Sequence, residues 1–306
     1  MKKNRNGYIQ VIAAGILWGT IGVFANFLEV MGLAPLPLAF FRLFSGTLLL
    51  IPMMIIQGKG FSLFKISRRG LISCVFIGVF SQGLYNLFYM YAIQENGMST
   101  AAVLLYTSPV FVAVMSRVFF REPLTGNKLL AILLNMAGCA LTVTGGSLTG
   151  LKNSVFGILL GLGAGLTYAL MPVFSRIGAD QEQPLTSAFY GLGFGALALF
   201  FLNRTWKGMG TPFTIPMLWM IIGYGLIPTA FGYIVYFSGL RKVKETSIVP
   251  ILTSVETVTA AIIGFTAFHD AFSGGKLIGI VLVVASIAVM NIDLSASVLR
   301  AGSERV

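Results

Sequence analysis

Ten times along this chain a stretch of roughly 20 residues passes with almost no charge, and each stretch ends at charge, proline or glycine. A helix of that length spans the ~30 Å hydrocarbon core of a bilayer. The runs fall at about 8–28, 36–56, 70–93, 98–120, 127–146, 155–177, 185–202, 216–238, 246–268 and 275–293. Hydrophobic residues make up 56% of the 306 residues and charged residues 10%. Soluble domains carry roughly 25% charged residues, and one soluble core of this size could not hide so much apolar surface. Lipid removes the difficulty, provided each spanning segment satisfies its own backbone hydrogen bonds. Barrel strands would alternate polar and apolar residues over ~10 positions, and these runs do not alternate. The fold class is therefore all-α integral membrane. A cleaved signal peptide competes for the first run, after Met1-Lys2-Lys3-Asn4-Arg5, but the run is long and no small-residue cleavage site follows it.

The net charge of +11 does not point to nucleic acid, because the cations are scattered over short loops. They follow the positive-inside bias instead. With a cytoplasmic N-terminus, the inner segments hold Lys2, Lys3, Arg5, Lys59, Lys65, Arg68, Arg69, Arg117, Arg121, Lys128, Arg176, Arg241, Lys242, Lys244, Arg300 and Arg305, which is 16 cations. The outer segments hold 4: Lys152, Arg204, Lys207 and Lys276. The split predicts ten transmembrane helices with both termini cytoplasmic.

The sequence also repeats. Ser99–Ala140 aligns without gaps to Ser247–Ala288 at an offset of 148. Val110/Val258, Phe120/Phe268, Gly126/Gly274, Lys128/Lys276 and Leu134/Leu282 are identical pairs, and Glu122 meets Asp270. Ala14-Gly15-Ile16-Leu17-Trp18 is similar to Ala164-Gly165-Leu166-Thr167-Tyr168. The expected domains are a first five-helix repeat at 1–147 and a second at 148–306. Five is odd, so the second repeat enters the membrane in the opposite sense. Inverted repeats of this kind recur in secondary transporters, with substrate near the midplane.

Ser108-Pro109-Val110 with Arg121-Glu122, Glu256-Thr257-Val258 with His269-Asp270, and Trp18-Gly19 together resemble the EamA-type domain of the drug/metabolite transporter superfamily, twice over. Thr257 stands where that pattern has proline, and Asp270 where it has Glu. The resemblance implies a ten-helix exporter or exchanger of small organic solutes, with a cavity lined mainly by helices 1, 3, 4, 6, 8 and 9.

Glu256 lies near the centre of its run. An intramembrane carboxylate costs about 3 kcal/mol on insertion scales and ordinarily faces a cavity. It can carry a proton for coupling, meet a substrate ammonium, or bond between helices. Arg42 can bind a carboxylate or snorkel outward to headgroups. Tyr85 and Tyr89 share a helix face beside Asn86, and Tyr106-Thr107-Ser108 precedes Pro109. Trp18 and Tyr168 are repeat-related, and Tyr233 shares a face with Thr229. These form an aromatic, sparsely polar wall that suits organic cations or a zwitterion. Tyr91 and Trp219 read as interfacial aromatics. Glu122 and Asp270 read as caps of the helices that follow them. His269, the lone histidine, reads as interfacial.

No cofactor is expected: the chain has no phosphate-loop pattern, no nucleophile elbow, no metal-ligand cluster, and its cysteines, Cys74 and Cys139, lie inside apolar runs. The expected function is export or exchange of a small, amino-acid-like metabolite by alternating access across the cell membrane. Efflux of amphipathic cationic drugs is the alternative within transport, and a membrane enzyme or structural membrane partner the alternative from another class. The expected partners are a small-molecule substrate and the lipid bilayer, without nucleic acid, in a monomer or weak homodimer.

Overall fold

A computed structural model of the chain describes residues 2–58, 60–147, 154–178, 181–202, 213–269 and 273–303, without side-chain detail at 2–4 and 291–303. Lys59, Lys152, Arg204, Lys207, Asp270 and Arg305 lie outside the described residues. Every element among the described residues is helical. In chain order the α-helices are α1 (Lys2–Gly19), α2 (Ile21–Val30), α3 (Pro35–Gln57), α4 (Arg68–Phe76), α5 (Tyr85–Leu105), α6 (Ser108–Phe120), α7 (Gly126–Thr144), α8 (Val155–Ile177), α9 (Pro184–Leu202), α10 (Ile215–Tyr224), α11 (Gly232–Leu240), α12 (Val249–Thr253), α13 (Val255–Ala267) and α14 (Gly274–Ser303). Two π-helical segments, Ile77–Leu84 and Gly225–Phe231, join α4 to α5 and α10 to α11.

Among the described residues, 8 continuous helical stretches are long and apolar enough to cross a membrane, and Ser108–Phe120 and Gly274–Met290 are shorter apolar helices. The structure redraws several of the predicted runs. Arg68–Leu105 is continuous by hydrogen bonding but breaks at Gly97 (φ 81°, ψ 163°). That conformation is open to glycine and strained for other residues, and it separates the predicted third and fourth runs. The fourth run is itself broken. Tyr106 and Thr107 leave helical register, so 98–120 is two pieces and not the single helix expected. The cause is Pro109, which has no amide hydrogen to donate one turn back.

The interruptions recur at the repeat offset. The π segments begin at Ile77 and Gly225, 148 positions apart. The break at Tyr106 has its counterpart at Ser254, between α12 and α13, also 148 positions on. Thr257 stands in the second copy where Pro109 stands in the first, yet the helix still breaks there. Ser254 Oγ donates to the Ile251 carbonyl at 2.7 Å, and Thr253 Oγ1 reaches the Val249 and Pro250 carbonyls. Hydroxyls bonded back to the preceding turn compete for its carbonyls and bend helices. A third break, between α1 and α2, uses the same device: Thr20 Oγ1 donates to the Leu17 carbonyl at 2.7 Å.

Packing between helices relies on small residues, as it must where lipid supplies no hydrophobic drive. The most extensive contact is α7 with α14, followed by α5 with α8. An added Cβ on Gly138 would lie 2.8 Å from the Val283 nitrogen and 2.9 Å from the Gly279 carbonyl. We expect Gly138→Val to overpack this seam by about 1–3 kcal/mol or more, read as a lower unfolding midpoint in detergent. An unchanged midpoint would show that the seam can open without cost.

Candidate substrate site

The middle of the bundle gathers the polar side chains that the sequence scatters over six helices. Arg42 enters first. Its helix, α3, packs closely on the second π segment: an added Cβ at Gly225 would lie 2.7 Å from the Gly46 nitrogen, and Ser45 Oγ donates across to the Ile221 carbonyl at 3.1 Å. This approach turns Arg42 inward. It is 7% exposed, within hydrogen-bond reach of the Tyr233 hydroxyl, with Tyr224 and Tyr85 nearby. The outward, snorkelling orientation is therefore excluded: the guanidinium is in the protein interior.

Tyr233 sits at the start of α11, just after the π segment, and Tyr85 occupies the same place after the first. They are 148 positions apart. The wide π turn shifts the helix face that follows, and such bulges recur at functional sites. Pro228 accounts for the second π segment, since it cannot donate a helical hydrogen bond. Tyr85 stacks on Tyr89 (ring centroids 5.9 Å) and tilts against Tyr168 (5.3 Å). Trp18 packs on Tyr233 (5.2 Å) and Tyr236 (5.1 Å). Glu256, in the first turn of α13, shares this space electrostatically with Arg42, Tyr85, Tyr89, Tyr168 and Tyr233. Tyr106 closes one side, accepting a hydrogen bond from Thr257 Oγ1 at 2.8 Å. Arg42, Trp18 and Tyr233 are buried, whereas Tyr85, Tyr89, Tyr106, Tyr168 and Glu256 keep part of their surface accessible.

Two expected residues are not brought into this cluster. Asn86 is buried and donates one amide hydrogen to the Gln82 carbonyl, one turn back in the π segment, at 2.6 Å. Ser108 is 3% exposed at the start of α6, sealed in helix packing. The contrast of Ser108 with Glu256 is therefore between a buried hydroxyl and an accessible carboxylate.

The structure adds two residues that the sequence reading missed. Gln82 lies in the first π segment, its amide within reach of Tyr233, and Tyr236 stands one turn beyond Tyr233. Trp18 Nε1, Gln82 Oε1 and the Tyr236 hydroxyl are buried and make no hydrogen bond among the described residues. Buried polar atoms are ordinarily paired. These three retain hydrogen-bonding capacity toward a solute or water. A mid-span amide was the signal available for Gln82. Nothing in the sequence marked Tyr236 apart from other tyrosines.

A recess of about 600 Å³ elsewhere, lined by Phe40, Phe44, Phe189, Tyr190, Phe194 and Phe200 between α3 and α9, is almost wholly apolar. It lacks the few placed polar groups that orient a solute.

One end of the bundle is tied together around residues 241–248 by side-chain hydrogen bonds and an ion pair. Glu122 was expected to cap the helix that follows it. Instead Thr125 caps α7, accepting from the Lys128 amide, and Glu122 reaches across to the second repeat. Its carboxylate accepts from the Thr246 amide (2.6 Å), the Ser247 amide (3.0 Å) and Ser247 Oγ (2.6 Å). The reason is geometric. Arg121 turns left-handed (φ 57°) and aims the next side chain away from α7. Beside it, the buried Lys128 ammonium pairs with Glu245 at 2.9 Å and donates to the Pro123 carbonyl. Arg176 holds the Val243 and Lys244 carbonyls, and Lys242 donates to Gln10. Of the remaining expectations, Tyr91 and Trp219 are exposed on the outside of the bundle, and His269 is exposed in a left-handed turn (φ 54°).

Fold and centre together define a polytopic helical membrane protein whose core is polar and aromatic-walled. The model of the EamA-like transporter family matches residues 5–144 and again 155–292. The chain belongs to that family and is a transporter. An uncharacterized transporter of Archaeoglobus fulgidus is 30% identical over 290 residues, spanning 93% of this chain and 96% of the relative. The uncharacterized inner membrane transporter YicL of Salmonella typhimurium is 24% identical, spanning 96% of this chain and 97% of its own. The uncharacterized transporter YoaV of Bacillus subtilis is also 24% identical, over 91% of this chain and 94% of its own. A solved crystal structure at 18% identity shares the fold, with TM-score 0.78 over 94% of this chain and 96% of that one.

Proposed function

We propose that this transporter moves a small zwitterionic, amino-acid-like metabolite out of the cell, or exchanges it, by alternating access. The observation that carries the reading is the pairing, across one tyrosine-walled space, of a buried guanidinium (Arg42) with an accessible carboxylate (Glu256). A zwitterion offers a carboxylate to the first and an ammonium to the second, and the rings of Tyr85, Tyr89 and Tyr168 face its side chain. Dividing the helical stretch at Gly97, joining its 98–105 end to the short helix Ser108–Phe120 as one span and counting Gly274–Met290 gives ten spans, in two inverted five-helix domains (1–147 and 148–306) with both termini cytoplasmic in the cell membrane. The recurrence of π segments, breaks and site tyrosines at one offset supports that arrangement. Under it, the tied end of the bundle is cytoplasmic, and the state is closed on that side.

Counterflow into proteoliposomes tests the reading: amino acids loaded inside should drive saturable uptake of a labelled amino acid. A second class, organic cations, is the alternative that Glu256 and the aromatics favour. Flux of cations without counterflow by any amino acid would install it. Glu256→Gln separates the roles of the carboxylate. We expect transport to fall at least tenfold, or its pH dependence to flatten. Unchanged transport with unchanged pH dependence would remove both roles and leave Glu256 as a helix-packing group.

A further inference from the structure

We propose that the groove between α4 and α8, at the end of the bundle that carries Arg68 and Arg69, is a binding site for an anionic phospholipid. The groove holds about 460 Å³ and is lined by Arg68, Arg69, Ile72, Ser73, Phe76, Phe174 and Ile177. Its long axis is apolar. Phe76 stacks on Phe174 (4.8 Å), and Ile72 is half exposed. Ser73 contributes no open polar group, because it is buried with its hydroxyl bonded to the Phe174 carbonyl.

The mouth is the opposite. Arg68 and Arg69 are both exposed and pair with no carboxylate among the described residues. Glu182, packed against Gly70, accepts from the Ser67 amide at 3.1 Å through one oxygen and forms no ion pair with either arginine. The two arginines also occupy the first turn of α4, where the helix dipole favours anions and opposes cations. Two cations held there, at the mouth of a groove otherwise lined by Ile72, Phe76, Phe174 and Ile177, match one ligand chemistry. A phosphodiester headgroup spans the guanidiniums, and an acyl chain lies along Phe76, Phe174 and Ile72. Basic pockets between transmembrane helices on the cytoplasmic side recognise anionic headgroups in this way. The site is separate from the central cluster; it rests on the proposed topology and not on the substrate reading.

Native mass spectrometry of the full chain in detergent, titrated with dioleoyl phosphatidylglycerol and dioleoyl phosphatidylcholine, tests it. Each cation near a membrane surface contributes roughly fivefold to anionic-lipid attraction, so the pair should give about a 25-fold preference for phosphatidylglycerol. Arg68→Gln with Arg69→Gln should reduce that preference to near parity. Arg5→Gln with Lys244→Gln removes the same charge from other exposed positions, and should leave it intact. Ile72→Trp, at an exposed position, should block the acyl channel and weaken phosphatidylglycerol with both arginines present. Equal loss in the two charge variants would reduce the effect to net charge and overturn the proposal. So would unchanged binding in the Ile72 variant, or equal competition by inorganic phosphate, which would make the feature an anion site without lipid character.

Discussion

Proteoliposomes carrying Arg42→Ala should transport roughly 10- to 100-fold more slowly than wild type, the equivalent of one charge-assisted hydrogen bond of about 1.5–3 kcal/mol. Arg42 is 7% exposed, and no carboxylate among the described residues lies within ion-pair distance of it. A guanidinium kept in the interior without such a partner is costly, and replacing it by an apolar residue should leave stability unchanged or improved. A purely structural arginine would behave in the opposite way, with stability lost and transport falling only as folded protein is lost. The informative result is therefore a split: unfolding midpoint held or raised, transport lost. Arg42→Lys keeps the charge but not the planar fork that grips a carboxylate bidentately, so it should recover part of the rate at a higher KM. Transport by Arg42→Ala at the wild-type rate would dismiss the residue from the site.

The second large effect is expected at the tied end. Glu122→Ala removes three hydrogen bonds from a side chain that is 7% exposed. It leaves the Thr246 and Ser247 amides without their acceptor, at about 1–3 kcal/mol for each buried unpaired group. It also strips the negative charge from the start of the 3₁₀ turn Thr246–Ile248 that leads into α12. The unfolding midpoint should fall by roughly 5–10 °C on the usual conversion for a protein of this size. Glu122→Gln keeps one acceptor oxygen but turns an amide NH₂ toward backbone N–H, so it should lie between alanine and wild type. If this contact also holds the end closed, a cysteine at Ser247 should be alkylated faster in the Glu122→Ala background. An unchanged midpoint together with unchanged alkylation would mean that Lys128–Glu245 and Arg176 hold the segment without Glu122.

Much of the scaffold was legible because lipid makes the code simple. Run length set the helices, and the offset of 148 located the repeat. The tyrosines at 85, 89, 168 and 233, with Trp18, were legible as a set, since aromatic residues at mid-span positions have few places to go. The irregularities were less so. Pro109 announced the break before α6, but its counterpart at Ser254 has no proline and depends on hydroxyls bonding backwards, which many serines and threonines do without bending a helix. The first π segment, Ile77–Leu84, contains no proline either. Its register comes from contacts with α9, where an added Cβ on Gly78 would meet the Gly195 nitrogen at 2.7 Å. Glu122 was misjudged for a related reason: sequence proximity to α7 suggested a local cap, whereas the left-handed Arg121 sends the carboxylate across the molecule.

The sequence by itself determined that the chain is helical, membrane-embedded and internally repeated, because the cost of charge and of unpaired backbone in lipid leaves no other arrangement of such runs. Which way a single side chain faces was decided only in the tertiary structure. Arg42 read as a headgroup anchor or as an interior cation, since a lone position on an apolar helix carries no information about its neighbours. The close approach of α3 to Gly225 turned it inward, onto Tyr233 and toward the space that Glu256 shares. That contact lies between residues nearly two hundred positions apart, and local pattern cannot encode it.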